Sequence, residues 1–396
     1  MTRGGTLMVG QSGGATAVIN ASLIGVVEGA TANGFTRVAG ARRGIEGLLR
    51  DDLVELSGLS RAQRDLIRRT PSAALGTGRH KLQDSDLDAA LDAFRRHGVR
   101  AFVYIGGNDS ADTAHRLHGA VRSAGADLAV MSVPKTIDND LPETDHCPGY
   151  GSIARFLANA VRDATYDTMA SPQLYPVKFI EVMGRDAGWV AAAGALGFDE
   201  DEANLAPLVY LPERPPASAE TILREIDARV REHGWSVAVV PETLRDAAGR
   251  HLSGAEPDHV DRFGHPYFPS TGTALTRLVR EDLGLRARDD KPGTFARMAM
   301  ALASPVDLDE AYRVGWAAAE RAAQGESDRM TTLERVSNDP YQCDIGAVSL
   351  TLIANRVRVL PDEFIGAGGR SLTPAFRDYA LPLLGPNPVP AYGRLG

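Results

Sequence analysis

At 396 residues, with 43% hydrophobic and 24% charged side chains, the chain has room for two packed domains and the composition of an ordinary soluble globular protein. A net charge of −8 argues against a nucleic-acid partner, and no apolar run of about 18 residues offers a membrane span. Cys147 and Cys343 are too few for a disulfide framework or a thiolate zinc site, and residues 1–10 lack the layout of a secretory signal, so a cytoplasmic location is expected. The predicted elements then alternate along the chain. A strand over 6–10 leads into the glycine loop Gln11-Ser12-Gly13-Gly14-Ala15-Thr16 and a helix over 18–32. A helix is predicted over 84–97, with Leu87, Ala90, Leu91 and Phe94 on one face. A continuous apolar strand over 101–105 enters Gly106-Gly107-Asn108-Asp109-Ser110, and a helix runs on to 121. The next strand, 127–133, leads directly into Pro134-Lys135-Thr136-Ile137-Asp138-Asn139-Asp140, followed by a long helix over 149–170. A second series places a strand over 177–182 before Met183-Gly184-Arg185 and another over 235–240 before Pro241-Glu242-Thr243. Residues 212–216 and 255–270 read as connections, and the tail after 361 is rich in glycine and proline. This repetition predicts an α/β protein with mostly parallel sheets and helices on both faces. Sites in such sheets lie at the carboxyl ends of the strands, where these loops fall.

The loops carry the chemistry. Glycines after a strand let backbone amides approach an anion, and both Gly13-Gly14 and Gly106-Gly107 precede a helix start. The first loop is neither GxGxxG nor a Walker A sequence and also reads as a simple tight turn. In the second, either Asp109 or Ser110 caps the following helix, or Asn108 faces a metal-phosphate group while Asp109 intrudes where a larger donor would extend. The loop over 134–140 sets two carboxylates beside a lysine and a threonine. Phosphoryl transfer is mostly positioning and charge neutralisation, and the remaining task is to take the proton of the attacking hydroxyl. Asp138 is the candidate base, Asp140 an orienting or magnesium-binding group, Lys135 a point charge for a donor phosphate, and Thr136 a hydroxyl. The acidic run 199–202 reads as a solvated loop, and His80, His118, His146 and His233 lack metal-ligand spacing. His146-Cys147 beside Asp145 reads as structural.

In order and spacing these motifs resemble the phosphofructokinase family. The SGG loop, Gly76-Thr77-Gly78-Arg79, the GG-x-x-S loop, TIDND, Met183-Gly184-Arg185, the Glu242 loop and Arg288-x8-Arg297 around Pro292-Gly293-Thr294 all match it, over roughly residues 5–315. The resemblance implies two similar three-layer α/β domains with the active site in the cleft between them. Residues 1–149 plus about 296–345 would bind the donor, 150–295 the sugar phosphate, and 346–396 would form a C-terminal extension. It implies phosphorylation of fructose 6-phosphate at its 1-hydroxyl, with Mg2+ and in a homodimer or homotetramer with shared active sites. Asp138, Asp140, Thr136 and Arg185 would be catalytic. Gly14, Arg79, Gly107, Asn108, Asp109, Ser110 and Lys135 would surround the donor, with Asn108 and Asp138 at the metal. Thr136, Asp138, Met183, Gly184, Arg185, Glu242, Thr294 and Arg297 would hold the sugar phosphate, and Arg288 would arrive from the partner chain.

The donor follows from two positions. ATP-using members of the family look like GGDGS and PGTIDND, with glycines where this chain has Asp109 and Lys135. An aspartate there adds bulk and negative charge against a nucleotide's α-phosphate, whereas a lysine suits compact pyrophosphate. Pyrophosphate is therefore the expected donor and the reaction the reversible one, with ATP, or a silent sugar-phosphate-binding paralogue, as the alternatives. The chain also departs from the family. Asn108 stands where most members have a metal-binding aspartate, Thr294 replaces a histidine or tyrosine, and Lys178 stands near a missing subunit-bridging arginine and is the candidate substitute. These changes leave sedoheptulose 7-phosphate as a second acceptor. On the first helix, Ile24 and Glu28 occupy positions where allosteric members carry effector-binding arginines, so no such control is expected.

Overall fold

The computed structural model describes residues 4–78, 80–254, 256–260 and 266–393. By internal packing the chain divides into two units, 1–150 with 297–358, and 151–296 with 359–396. The first is built on a seven-stranded sheet. From edge to edge it runs Tyr341–Ser349, Arg329–Asn338, Ala129–Pro134, Val99–Gly106, Thr6–Gln11, Arg37–Ala41 and Leu53–Glu55. The interior pairs are parallel, and only the outermost strand at each edge is antiparallel to its neighbour.

Alternation along these strands feeds two apolar layers. Leu7, Val9, Val103, Ile105, Met131 and Val133 face helices Ile19–Ala32 and Pro305–Gln324. Met8, Phe102, Tyr104 and Val130 face helices Leu87–Arg96 and Asn108–Ser123. The two helices of the first layer cross with backbones touching. A Cβ at Gly25 would sit 2.0 Å from the Tyr312 carbonyl oxygen, and one at Gly315 2.1 Å from that of Ser22, so only glycine fits either position. On the same helix Ile24 is buried, while Glu28 accepts from Tyr312 Oη at 2.6 Å and pairs with Arg64 at 3.0 Å.

The second unit has a four-stranded parallel sheet in the order Ala287–Asp290, Val177–Val182, Ser236–Pro241, Leu208–Val209. Val177, Phe179, Ala238 and Val240 pack there with Ile222, Ile226, Leu275 and Val279 of helices Ala219–His233 and Thr271–Asp282. The α/β architecture with mostly parallel sheets is thus the one expected from the sequence.

Two expectations need correction. The hairpin Arg329–Asn338/Tyr341–Ser349 runs through 345, where the extension was to begin, because Ile345 pairs with Leu333 in the sheet. The stretch 346–396 then divides, the part to 358 joining the first unit and the remainder the second. The connection over 255–270 lies partly outside the described residues, and contains a two-residue ladder between His259–Val260 and Pro266–Tyr267. Among the described residues, no helix is long and apolar enough to cross a membrane.

Candidate active site

Three parallel strands of the first unit end in loops that meet. Strand Thr6–Gln11 delivers Gly13-Gly14, strand Val99–Gly106 delivers Gly107-Asn108-Asp109, and strand Ala129–Pro134 delivers Lys135 to Asp140. Lys135 joins them. Its backbone N–H donates to the Gly106 carbonyl at 3.0 Å, and its Nζ donates to the Gly14 carbonyl at 2.8 Å. The side chain is 4% exposed. Burial pushes the ammonium down to about 8; Asp138, Asp140 and Asp109 oppose that shift, and Arg297 adds to it. A Cβ on Gly14 would stand 2.9 Å from Arg297 Nη1, so the glycine is what lets the guanidinium approach. Lysine, arginine and three carboxylates thus share one electrostatic neighbourhood at the strand ends.

The turn after Lys135 is locally determined. Thr136 Oγ1 accepts from the Asp138 N–H at 3.0 Å, a threonine turn that fixes the backbone before the first carboxylate. Asn139 then adopts φ 54°, a left-handed conformation that asparagine tolerates better than most residues. Its buried side chain accepts from Cys147 N at 2.9 Å, and Asp138 and Asp140 on either side stay half-buried.

Behind this turn His146 is sandwiched, with Asp145 Oδ1 2.7 Å from Nδ1 and Glu310 Oε2 2.7 Å from Nε2. Burial disfavours its charge, but the two carboxylates outweigh burial and push it up to about 9. Asp145 is raised by burial and held down to about 2 by His146 and Arg335. Burial pushes the Cys147 thiol up to about 12, which suits an inert core thiol.

Several expected roles change at the second loop. The anticipated cap by Asp109 or Ser110 is not formed: Gly107 occupies the cap position without a side-chain bond, and both residues lie in the first turn. Asp109 is exposed there and Ser110 buried. Asn108, expected at the metal, has its amide committed elsewhere. Its Oδ1 accepts from Asn355 N at 2.7 Å and its Nδ2 donates to the Arg356 carbonyl. Arg79 lies outside the described residues.

In the second unit, strand Val177–Val182 ends in Met183, Gly184 and Arg185. Arg185 is exposed at φ 43°, held by its own carbonyl accepting from Thr243 Oγ1 at 2.7 Å. A non-glycine residue in this region costs conformational energy and is found preferentially at functional sites. Glu242 is half-buried; its N–H donates to the Val182 carbonyl at 2.9 Å, and its carbonyl accepts from Thr271 Oγ1 at 3.0 Å.

Beneath them is a residue the sequence reading did not single out. Glu181 is 1% exposed, and its Oε2 accepts from Ser270 Oγ at 2.5 Å and Gly272 N at 2.8 Å, while Lys291 Nζ lies 2.5 Å from Oε1. An acid following the apolar pair Phe179-Ile180 within a strand that is buried throughout was the available signal.

Lys178 has its charge met within the protein by two carboxylates. It is buried, with Nζ 2.8 Å from Asp167 Oδ2 and 3.3 Å from Asp290 Oδ2, which corrects its expected place at the sugar phosphate. Arg288 is exposed on the edge strand, with its guanidinium 3.4 Å from the centre of the Tyr175 ring. Helix Gly293–Met298 carries exposed Thr294 in the second unit, while Arg297 belongs to the first, where its guanidinium lies beside Gly14 and shares with Asp138 the surroundings of Lys135.

The Phosphofructokinase family profile matches residues 6–322. The chain belongs to the phosphofructokinase family. Within the family it is 39% identical, over 96% of its length and 92% of the relative's, to a protein of Methylococcus capsulatus named pyrophosphate–fructose 6-phosphate 1-phosphotransferase. A protein of Xanthomonas campestris bearing the same name is 39% identical over 99% of this chain and 94% of its own length. Among solved structures, a pyrophosphate-dependent phosphofructokinase from Nitrosospira multiformis superposes with a TM-score of 0.88 at 34% identity, covering 98% of this chain and 94% of that one.

Proposed function

We propose that this phosphofructokinase-family enzyme transfers a phosphoryl group from pyrophosphate to the 1-hydroxyl of fructose 6-phosphate, reversibly. The observation that carries the donor assignment is Lys135, buried with its Nζ against the Gly14 carbonyl and flanked by Asp138, Asp140, Asp109 and Arg297. A desolvated ammonium beside two glycine loops favours a small, highly charged anion. Exposed Asp109 in the first turn of helix Asn108–Ser123 opposes an anion that extends past the helix start.

The attacking 1-hydroxyl oxygen forms a bond to the nearer phosphorus, the bridging P–O bond breaks, and orthophosphate leaves. Asp138 takes the hydroxyl proton, while Thr136 and Asp140 fix its loop. Lys135 and Arg297 neutralise the charge on the transferring and leaving groups, supported by Gly14, Gly107, Ser110 and Arg79. Met183, Gly184, Arg185, Glu242 and Thr294 bind the sugar phosphate. Return of the proton and attack by orthophosphate give the reverse reaction.

Magnesium belongs to this reading. Among the described residues no group of three or more His, Cys, Asp or Glu side chains could hold a metal unaided, and Asn108 Oδ1 is already bonded. A bound magnesium ion would be held on the protein side by Asp138, with phosphate oxygens and water as its other ligands. When bound, it supplies charge neutralisation at the phosphates.

The proposal includes a homo-oligomer, dimer or tetramer, in which exposed Arg288 reaches a partner's sugar phosphate, and a location in the cytoplasm. One assay tests the reaction and its donor. Purified protein is given fructose 6-phosphate and magnesium with either pyrophosphate or ATP, and fructose 1,6-bisphosphate is measured, with sedoheptulose 7-phosphate as a second acceptor. Turnover with pyrophosphate and not ATP is expected. Turnover with ATP alone overturns the donor assignment.

A further inference from the structure

The loop bearing Asp138 and Asp140 is gripped from behind by a residue outside the stretch that the family profile matches. Arg358 donates its backbone N–H to the Asp140 carbonyl at 2.7 Å. Its guanidinium then donates to three more carbonyls: Nε and Nη2 to Asn139 at 3.1 and 2.8 Å, and Nη1 to Thr144 at 2.7 Å and Asp145 at 2.5 Å. All four acceptors are main-chain oxygens of the segment carrying the two aspartates. The matched stretch ends at 322, so this grip comes from the chain beyond it.

We infer that Arg358 is a positioning residue for phosphoryl transfer, holding the 138–140 turn in the one conformation that presents both carboxylates. The argument starts at Asn139. Its left-handed backbone is sparsely populated, and its carbonyl is the one that receives two guanidinium N–H groups. Without them that carbonyl loses these two donors, and the peptide between Asn139 and Asp140 is held less firmly against rotation toward a commoner conformation. Such a rotation re-aims Asp138 on one side and Asp140 on the other.

A planar fork with five donors suits three diverging carbonyls, and a lysine ammonium, with three donors on one atom, does not. The same strap also fixes the neighbouring loop. Just upstream of Arg358, Asn355 N and the Arg356 carbonyl hold the two ends of the Asn108 amide, and Asn355 Nδ2 donates to Asp112 at 3.1 Å. Residues 355–358 therefore set the relation between two of the three loops that meet at Lys135.

This inference rests on the reading of Asp138 as the base, and the experiment separates the two. Arg358→Ala, Arg358→Lys and Asp138→Asn are compared by steady-state kinetics with pyrophosphate, fructose 6-phosphate and magnesium, alongside circular dichroism and Tm. A displacement of about 1 Å at a reacting group costs about a hundredfold in rate. Arg358→Ala is therefore expected to lose about a hundredfold in kcat, with KM for both substrates held within about threefold. Arg358→Lys is expected to lose about tenfold in kcat, and it carries the test if the alanine variant fails to fold. A folded variant of either kind within about twofold of the parent kcat overturns the inference, as does a loss expressed wholly in KM. Substantial activity in Asp138→Asn overturns the base assignment itself, whereas an inactive Asp138→Asn beside a fully active Arg358 variant overturns only the clamp.

Discussion

Lys135 Nζ lies 2.8 Å from the carbonyl oxygen of Gly14, so the loop after one parallel strand is tied to the loop after another by a single buried ammonium. The bond places a positive charge among backbone dipoles and three carboxylates. It also makes that charge sensitive to pH, because burial holds it at about 8, well below the 10.5 of a free lysine.

Activity should follow that titration. As pH rises through about 8, Lys135 loses its proton and its attraction for the donor, so kcat/KM for pyrophosphate should fall on the alkaline side. Lys135→Met should lower activity and remove this alkaline limb. A pH–rate profile of parent and variant checks both. Stability should move the opposite way. A lysine lowered on folding contributes stability above 10.5 that is lost as pH falls through 8, so at neutral pH its buried charge opposes folding. Lys135→Met should then add less than about 3 kcal/mol to the unfolding free energy at pH 7 once the lost bond to Gly14 is subtracted, read as a higher Tm.

Donor choice should be transferable. Asp109→Gly with Lys135→Gly removes the exposed carboxylate at the helix start and the ammonium from the glycine loops. The double variant should accept ATP while losing at least about tenfold in kcat/KM for pyrophosphate, since one well-placed charge is worth about 1.4 kcal/mol or more here. Continued exclusion of ATP would show that bulk and charge at these two positions are not the filter.

Glu181 should matter to the sugar end. Glu181→Gln keeps an oxygen for Gly272 N but discards the charge facing Lys291. Loosening the start of helix Thr271–Asp282, which also carries the bond to Glu242, should raise KM for fructose 6-phosphate about threefold to tenfold with a smaller effect on kcat. Initial rates at saturating pyrophosphate measure the split.

His146 makes a separate prediction for stability. Its ring is raised on folding from 6.5 to about 9, so the stability it adds is complete below 6.5 and is lost as pH rises through 9. Tm of the parent should decline over that window, and His146→Gln should flatten the decline. The substitution leaves Asp145 with Arg335 but takes from buried Glu310 its charged hydrogen-bond partner, leaving the Tyr341 hydroxyl and the more distant Arg313, and should cost roughly 3–5 kcal/mol at neutral pH in thermal or urea melts.

Five parallel strands, near 6–10, 101–105, 127–133, 177–182 and 235–240, were legible because each is a short, largely apolar run ending in a glycine or polar loop, and strand Val177–Val182 has the bounds expected for it. The loops at their carboxyl ends were legible for the same reason. What escaped was long-range. Nothing local in residues 329–349 announces that one strand will lie beside Ala129–Pro134, and nothing in Arg358 says that its donors meet carbonyls more than 200 residues earlier. Lys178 misled because it stands near the position of the family's missing subunit-bridging arginine, and nothing local says that Asp167 and Asp290 will take up its charge. That the guanidinium of Arg297 lies by Gly14, far away in sequence, is likewise something only the fold decides.

The glycine-lined crossing of helices Ile19–Ala32 and Pro305–Gln324 sets an order of events in the ribosome's hands. The first helix emerges early and must wait for a partner that is made some 270 residues later, about ten seconds to a minute at bacterial and eukaryotic synthesis rates of roughly 5–20 residues per second. During that interval the Ala129–Pro134 strand also lacks its neighbour Arg329–Asn338, so an apolar helix face and an open sheet edge stand exposed together. Residues 151–296 can begin to organise meanwhile. A nascent chain stalled before residue 305 should therefore be the form that chaperones hold and proteases cut, and release of the last hundred residues the moment at which both hazards close.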